Sequence, residues 1–202
     1  MLRLLIPLFA LGLLAGPALA ANPEVELDTT AGTVKLELYP DAAPKTVENF
    51  LRYVKDGHYN GTQFHRVIDG FMIQGGAYTA DFGPRPTRAP IVNEAEMSSK
   101  AGLRNVPGTI AMARTSAPNS ATDQFFINVA NNKPLDFRSP DPAGIGYTVF
   151  GKVVAGMDVV DRIAKMSKGG RKLPASAPPV DPRSLTTEPV LITSAKVIEP
   201  AK

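Results

Sequence analysis

Arg66 and Gln74 are the two residues of this chain whose types and positions best suit chemistry. They lie in residues 64–76, where two apolar runs flank an Asp-Gly pair, a strong turn signal, so the segment predicts a β-hairpin. Strict alternation along the first run places Phe64, Arg66 and Ile68 on one face, which sets a permanently charged guanidinium among apolar neighbours. That placement is costly unless the charge has a task. Gln74 on the partner strand is near enough to orient the guanidinium or to meet a ligand amide.

Hydrophobic periodicity predicts the elements that position this hairpin. A first helix begins at Pro44, carries apolar residues at helical spacing up to Val54 and ends at Gly57. A second helix has one apolar face from Met157 to Ala164. Further strands are predicted over residues 25–28, 34–39, 105–113, 124–129, 147–154 and 190–198. Together these elements predict a mainly β fold, a closed antiparallel barrel of about eight strands capped by two α-helices.

Two segments fall outside the barrel pattern. Residues 1–20 combine a basic start, an apolar run and an Ala-Leu-Ala cleavage site, which predicts a signal peptide and export. The alternative is an N-terminal membrane anchor, but the apolar run is shorter than the roughly 20 residues that a spanning helix needs, so no stable membrane insertion is expected after cleavage. Residues 21–202 then form a single domain, in which the Pro- and Gly-rich residues 167–189 predict a long surface loop.

Composition and missing motifs exclude several classes of function. The formal net charge is +3 and the basic residues are scattered, so nothing favours nucleic-acid binding. The chain has no cysteine, which excludes disulfides and thiolate metal sites. His58 and His65 lie on different predicted elements with no cysteine to join them, so no metal is expected. Dinucleotide-binding and serine-hydrolase motifs are missing as well, so no cofactor is expected.

Three blocks of the chain resemble the cyclophilin family of peptidyl-prolyl cis-trans isomerases, particularly its bacterial periplasmic branch. The first is the hairpin of residues 64–76, the second comprises residues 108–114 and 124–129, and the third is residues 147–153. The resemblance extends from Val25 to about Ile198. It implies a cyclophilin-like barrel and a periplasmic enzyme that accelerates rotation of Xaa-Pro imide bonds and so assists protein folding. Its partners would be proline-containing peptides and unfolded exported proteins.

The resemblance also implies the site. Arg66, Gln74 and Phe71 would be catalytic, with Arg66 aiming a fixed donor at the prolyl nitrogen. The proline pocket and the groove that grips the peptide would be formed by Met72, Ala113, Arg114, Gln124, Phe126, Leu135 and Tyr147.

Three residues or residue pairs of this implied site need separate comment, because they differ from the family pattern or from simple strand alternation. Tyr147 stands where many relatives carry His, and it offers a hydroxyl to the substrate carbonyl. Pro134 stands where relatives place a Trp or Phe that contacts cyclosporin, so only weak cyclosporin binding is expected. Strict alternation does not place Phe71 and Met72 on one face. Either the strand twists or bulges after Gly70, or one of the two is mainly core.

Plainer interpretations of the same residues remain open. Arg66 alone would more often be a surface charge paired with a carboxylate, and Phe71 and Phe126 would be ordinary core aromatics; the surrounding motif favours the site. For the whole chain, the alternative is a proline-peptide binding module or a holdase chaperone without significant turnover. Arg66 together with Gln74 separates the two, because a pure binder would not need a donor aimed at the imide nitrogen.

Overall fold

The computed structural model describes residues 21–175 and 177–198 and forms a closed antiparallel barrel. Around the barrel the strands follow the order β1-β2-β7-β5-β6-β4-β3-β8. The strands are β1 (Glu24–Thr29), β2 (Gly32–Leu38), β3 (Thr62–Ile68), β4 (Met72–Thr79), β5 (Thr109–Met112), β6 (Phe125–Asn128), β7 (Val149–Ala155) and β8 (Leu191–Ile198). The helices are α1 (Pro44–Lys55), α2 (Ala95–Lys100) and α3 (Met157–Lys165). The predicted barrel is therefore confirmed.

Two of the three helices are the predicted ones, and α2 is an addition. A helix of six residues is too short to show a periodic apolar face, so the sequence pattern did not reveal it. None of the helices within the described residues is long and apolar enough to cross a membrane. The predicted signal peptide, residues 1–20, lies outside the described residues.

Alternation along the strands sorts apolar side chains into two separate clusters. Ile73 of β4, Phe125 of β6 and Ile110 of β5 belong to the main core inside the barrel. Their chain neighbours Met72, Phe126 and Ala111 belong to a second cluster on the opposite face of the same strands. Because successive side chains point to opposite faces of a strand, the second cluster lies on the outside of the barrel. We call it the outer cluster.

The hairpin β3–β4 forms as predicted, with Gly70 at φ +66° in its three-residue turn. The prediction that Phe64 shares a face with Arg66 and Ile68 is wrong. The pairing register shifts between Phe64 and Arg66, so His65 is an extra residue in β3. Phe64 therefore packs in the barrel core, whereas Ile68 packs against the outer cluster.

His65, the extra residue of β3, is buried, whereas its neighbour Arg66 is exposed. Its ring packs edge-on against Tyr78, with the ring centroids 4.8 Å apart. Burial lowers the pKa of His65 to about 4, so the imidazole is neutral at physiological pH.

Glu94 fixes the start of α1 from a distance. Ala43 at the N-cap supplies no side-chain hydrogen bond, and Pro44 has no N–H to offer. The buried Glu94 carboxylate instead accepts hydrogen bonds from the N–H groups of Lys45 (3.1 Å) and Thr46 (2.9 Å). A carboxylate at a helix N-terminus is also favoured by the helix dipole. The chain just before α2 is thereby joined to α1.

The described residues of 167–189 contain no strand or α-helix, and they are not wholly on the surface. Ser184, Leu185 and Thr186 are buried, and Leu185 has no exposed surface. The described residues between Arg171 and Arg183 are exposed or half-buried. A short 3₁₀ turn, Pro182–Ser184, lies within the segment.

Candidate active site

A cavity of about 190 Å³ opens over the outer cluster. It brings together nine of the ten residues that the sequence indicated, which come from the β3–β4 hairpin, the end of β5, β6 and the segment before β7. The lining residues are Arg66, Phe71, Met72, Gln74, Ala113, Arg114, Phe126, Leu135 and Tyr147. The tenth, Gln124, lines an adjoining cavity together with Gln74, Ala113 and Arg114.

The floor and walls of the cavity are apolar. Met72 and Phe126 are buried at its base, and the half-buried Phe71, Leu135 and Tyr147 pack against them. The rings of Phe126 and Tyr147 meet edge to face, with centroids 5.7 Å apart. Such a pocket suits a small apolar ring such as a pyrrolidine.

Phe71 and Met72 both face the cavity, which settles the alternatives left open by alternation. Phe71 is the last residue of the hairpin turn, and Met72 is the first residue of β4. The period-two rule does not apply across a turn, so neighbours in sequence can face the same cavity. Phe71 and Phe126 are therefore not aromatics of the barrel core.

The Arg66 guanidinium projects over the rim of the cavity. Its Nη1 donates to Gln74 Oε1 at 3.4 Å and lies 3.8 Å from Met72 Sδ. Its Cζ lies 5.7 Å from the centre of the Phe71 ring. No carboxylate within the described part of the chain forms an ion pair with Arg66, so the plainer interpretation as a paired surface charge does not fit.

A pair of amides orients Arg66. Gln74 Nε2 donates to Gln124 Oε1 at 2.8 Å, which leaves Gln74 Oε1 facing the guanidinium. An amide has one accepting and one donating end, so the contact with Gln124 selects the end that meets Arg66. The donors of Arg66 that do not meet Gln74 remain available at the rim.

Arg114 also borders the cavity. Its Nε donates to the carbonyl of Gly146 at 3.0 Å, and its Cζ lies 4.6 Å from the centre of the Tyr147 ring. Gly146 has φ +68°, and a Cβ there would lie 2.6 Å from the backbone nitrogen of Phe137. Only glycine fits this close approach. The resulting backbone position directs the Gly146 carbonyl toward Arg114.

Buried asparagines support the pocket, and sequence reasoning missed them. Asn132 Nδ2 donates to the Phe71 carbonyl (2.8 Å) and to Asn128 Oδ1 (2.6 Å). Asn128 Nδ2 in turn donates to Asn105 Oδ1 at 3.2 Å. These bonds join the hairpin turn to the 3₁₀ turn Lys133–Leu135, which carries Leu135. The available signal was Asn128, a polar residue that ends an apolar strand.

The chain is similar in sequence to known prolyl isomerases over nearly its whole described length. The family model "Cyclophilin type peptidyl-prolyl cis-trans isomerase/CLD" matches residues 24–197. A peptidyl-prolyl cis-trans isomerase of Streptomyces antibioticus is 52% identical over 174 residues, 86% of this chain and 98% of the relative. Peptidyl-prolyl cis-trans isomerase A of Dickeya dadantii is 47% identical, over 91% of this chain and 90% of the relative. Isomerase B of Escherichia coli K12 is 48% identical, over 78% of this chain and 93% of the relative.

Solved structures show the same fold. A cyclophilin type peptidyl-prolyl cis-trans isomerase of Cryptosporidium parvum superposes with a TM-score of 0.67 at 24% identity, covering 89% of this chain and 99% of that one. A second structure of that protein, in the presence of the dipeptide Ala-Pro, superposes with a TM-score of 0.65 at 24% identity, covering 88% and 99%. The sequence relatives, the fold and the lined cavity together lead to one conclusion, that this chain belongs to the cyclophilin family and is a peptidyl-prolyl cis-trans isomerase.

Proposed function

We propose that this isomerase acts on Xaa-Pro bonds of exported polypeptides, with Arg66 as its catalytic donor and without a covalent intermediate. The observation that carries the proposal is the Arg66 guanidinium, free of any carboxylate partner within the described residues and oriented by Gln74 at the rim of an apolar cavity. The Ala-Pro dipeptide of the Cryptosporidium parvum structure supports a proline-containing peptide as the occupant of that cavity.

Rotation about an imide bond explains why an arginine suits this site. The barrier of roughly 18–20 kcal/mol exists because rotation gives up amide resonance. In the twisted state the prolyl nitrogen regains a lone pair, which accepts a hydrogen bond that the planar states cannot accept. A donor aimed at that nitrogen therefore stabilises the transition state more than either ground state. Arg66 keeps its charge at any physiological pH, and its planar fork is rigid.

The required acceleration is too large for Arg66 alone. Shortening a process of tens of seconds to about a millisecond requires roughly 5–7 kcal/mol. One charge-assisted hydrogen bond contributes about 1.5–3 kcal/mol. The remainder is assigned to the apolar pocket of Phe71, Met72, Phe126 and Leu135, which holds the proline ring away from water. Gln74, Gln124 and the Ala113–Arg114 backbone grip the flanking chain.

The first prediction concerns Arg66. We expect Arg66→Ala to lower turnover of an Xaa-Pro peptide by at least about tenfold while the protein still melts cooperatively, because a transition-state donor is lost but no core volume. Arg66→Lys should recover little, since an ammonium has no planar fork. The matched control is Arg52→Gln, which removes an exposed arginine that pairs with Glu48 on α1.

The Arg66 result separates two classes of function. The measurement is the catalysed rate constant, after subtraction of the uncatalysed rate, beside a thermal melt. Turnover near the wild-type value in Arg66→Ala would remove Arg66 from the mechanism. Peptide binding without turnover in the wild type would instead favour the holdase alternative.

The second prediction concerns pH. Imide rotation transfers no proton, so no general acid or base imposes a bell-shaped profile. The nearest histidine in sequence to Arg66 is His65, whose pKa burial lowers to about 4, so it stays neutral above that pH. Turnover should therefore be nearly flat between about pH 5.5 and 9, a range that unperturbed histidine would cross. A steep change of turnover with pH that disappears in His65→Gln would place a titrating histidine in the mechanism.

The third prediction concerns export to the periplasm. Support comes from the sequence of residues 1–20, with a basic start, an apolar run and a small-residue cleavage site. We expect these residues, fused to a phosphatase that is active only outside the cytoplasm, to give an active and cleaved reporter. A fusion with Leu4 and Leu5 changed to Glu serves as the control. An intact, inactive wild-type fusion would contradict export.

The fourth prediction concerns cyclosporin, for which we propose weak binding. Pro134 is exposed and does not line the cavity, whereas its neighbour Leu135 does. A pyrrolidine ring at this position offers less contact area than a large aromatic side chain. Pro134→Trp should therefore tighten cyclosporin binding measured by calorimetry. Unchanged affinity would show that position 134 is not part of the drug contact.

A further inference from the structure

The described residues of 168–187, which the isomerase mechanism above does not use, belong to a loop that is anchored at its base. At its neck the Gly169 N–H donates to the Leu185 carbonyl and the Thr187 N–H donates to the Ser167 carbonyl, both at 2.8 Å. Leu185 is completely buried beneath this neck. The loop is therefore held in place at its base, and we call it the anchored loop.

Arg171 ties the anchored loop to the strand that carries Arg66. Its Nη1 donates to Gln63 Oε1 at 2.7 Å, and its Nη2 donates to the Ala80 carbonyl at 3.0 Å. Gln63 lies in β3, three positions before Arg66, and is fully buried. Because these bonds join the loop to β3 and to the residue that follows β4, the loop has a defined position against the catalytic hairpin.

Phe82 gives this connection a second component. The Arg171 guanidinium stacks 4.8 Å from the centre of the Phe82 ring. Phe82 is buried and has φ +66°, the only positive φ of a non-glycine residue within the described chain. Such a conformation costs free energy and persists only where surrounding contacts enforce it. The backbone of Phe82 is therefore strained, and its ring packs against the Arg171 guanidinium.

The C-terminal part of the anchored loop packs against β3, the strand that carries Arg66. The 3₁₀ turn Pro182–Ser184 packs against β3, and Ser184 is buried. Asp181 caps the turn by accepting from the Arg183 N–H at 2.9 Å. The pKa of the Asp181 carboxyl is lowered mainly by its hydrogen bonds from Arg183 and, to a smaller extent, by the charge of Arg66.

Arg183 is presented to solvent in a fixed orientation. Its Nε and Nη2 donate to Asp181 Oδ1 and Oδ2 at 3.0 and 2.9 Å, so one edge of the guanidinium is held. The side chain is nevertheless 90% exposed, and its other edge faces water. An arginine oriented in this way loses less conformational entropy when it binds a second carboxylate.

The local charges favour an acidic substrate. Asp181 offsets the charge of one arginine, while Arg66 and Arg114 at the cavity carry no offsetting ion pair within the described residues. A peptide in the cavity therefore meets two guanidinium groups that have no ion-pair partner within the described residues. A carboxylate on that peptide would find Arg183 with free donors.

We propose that Arg183, held by Asp181 on the anchored loop, is a specificity residue that binds an Asp or Glu side chain of the substrate on the Arg66 side of the Xaa-Pro bond. This inference rests on the prolyl-isomerase site described above and adds a preference among its substrates. It assigns a function to the anchored loop, whose role the barrel alone does not explain.

The test compares peptides with one Xaa-Pro core and either Glu, Gln or Lys at each flanking position in turn. The measurement is the ratio of kcat/KM for the Glu peptide to that for the Lys peptide. Exposed ion pairs are weak, so we expect Arg183→Gln to lower this ratio about threefold at one side of the proline. Arg183→Glu should lower it further, and Arg52→Gln, which removes an exposed arginine elsewhere, should leave it unchanged.

Two outcomes would overturn the proposal. One is a ratio in Arg183→Gln equal to that of the wild type at every flanking position. The other is a wild-type ratio in Arg171→Met, because the loop should lose its defined position when the contacts with Gln63 and Phe82 are removed. Failure of the wild type to isomerise even the Gln peptide is a different result, since it would contradict the isomerase function itself.

Discussion

Closure of the barrel is the constraint on which the rest of the structure depends. A closed sheet has no free edge and fills its interior with side chains, so a peptide can only bind outside it. The strands β4, β5 and β6 meet this condition by carrying apolar side chains on both faces. Interior residues stabilise the barrel, and residues such as Met72 and Phe126 form the floor of the external cavity. Stability and binding are therefore assigned to opposite faces of the same strands.

Arg66 reaches this outer face because β3 contains an extra residue. The register shift at His65 lets Phe64 and Val67 both enter the core while Arg66 points out. Gln74 and Gln124 then fix the direction of the guanidinium through amide contacts. The charge remains solvated, so the large cost of a buried and unpaired charge is avoided. The same exposure leaves its donors free for a substrate.

Local patterns predicted most of the barrel, and the resemblance predicted the site. Turn residues and period-two runs indicated the hairpin, and helical spacing indicated α1 and α3. The bulge at His65 could not be predicted, because register depends on the partner strand and no special residue marks the site. Strict alternation therefore misplaced Phe64.

The other features that the sequence did not predict also have physical explanations. Glu94 caps α1 through contacts with residues that precede it by 48 and 49 positions in the sequence. Hydrophobic periodicity is a local pattern and does not reveal contacts over such a separation. The anchored loop has no regular pattern, so its contact with Gln63 through Arg171 became visible only in the folded chain. The lining of the cavity was anticipated by comparison of motifs, since Phe71, Leu135 and Tyr147 come from turns and connecting segments.

The central claim is that Arg66 stabilises the twisted imide rather than the bound peptide. Line-shape or exchange NMR on one Xaa-Pro peptide measures both the dissociation constant and the isomerisation rate on the enzyme, for the wild type and for Arg66→Ala. A donor used only in the transition state predicts a dissociation constant that changes by less than about threefold and an on-enzyme rate that falls at least about tenfold. A dissociation constant that weakens tenfold, with an unchanged on-enzyme rate, would show that Arg66 only binds substrate and would contradict the account.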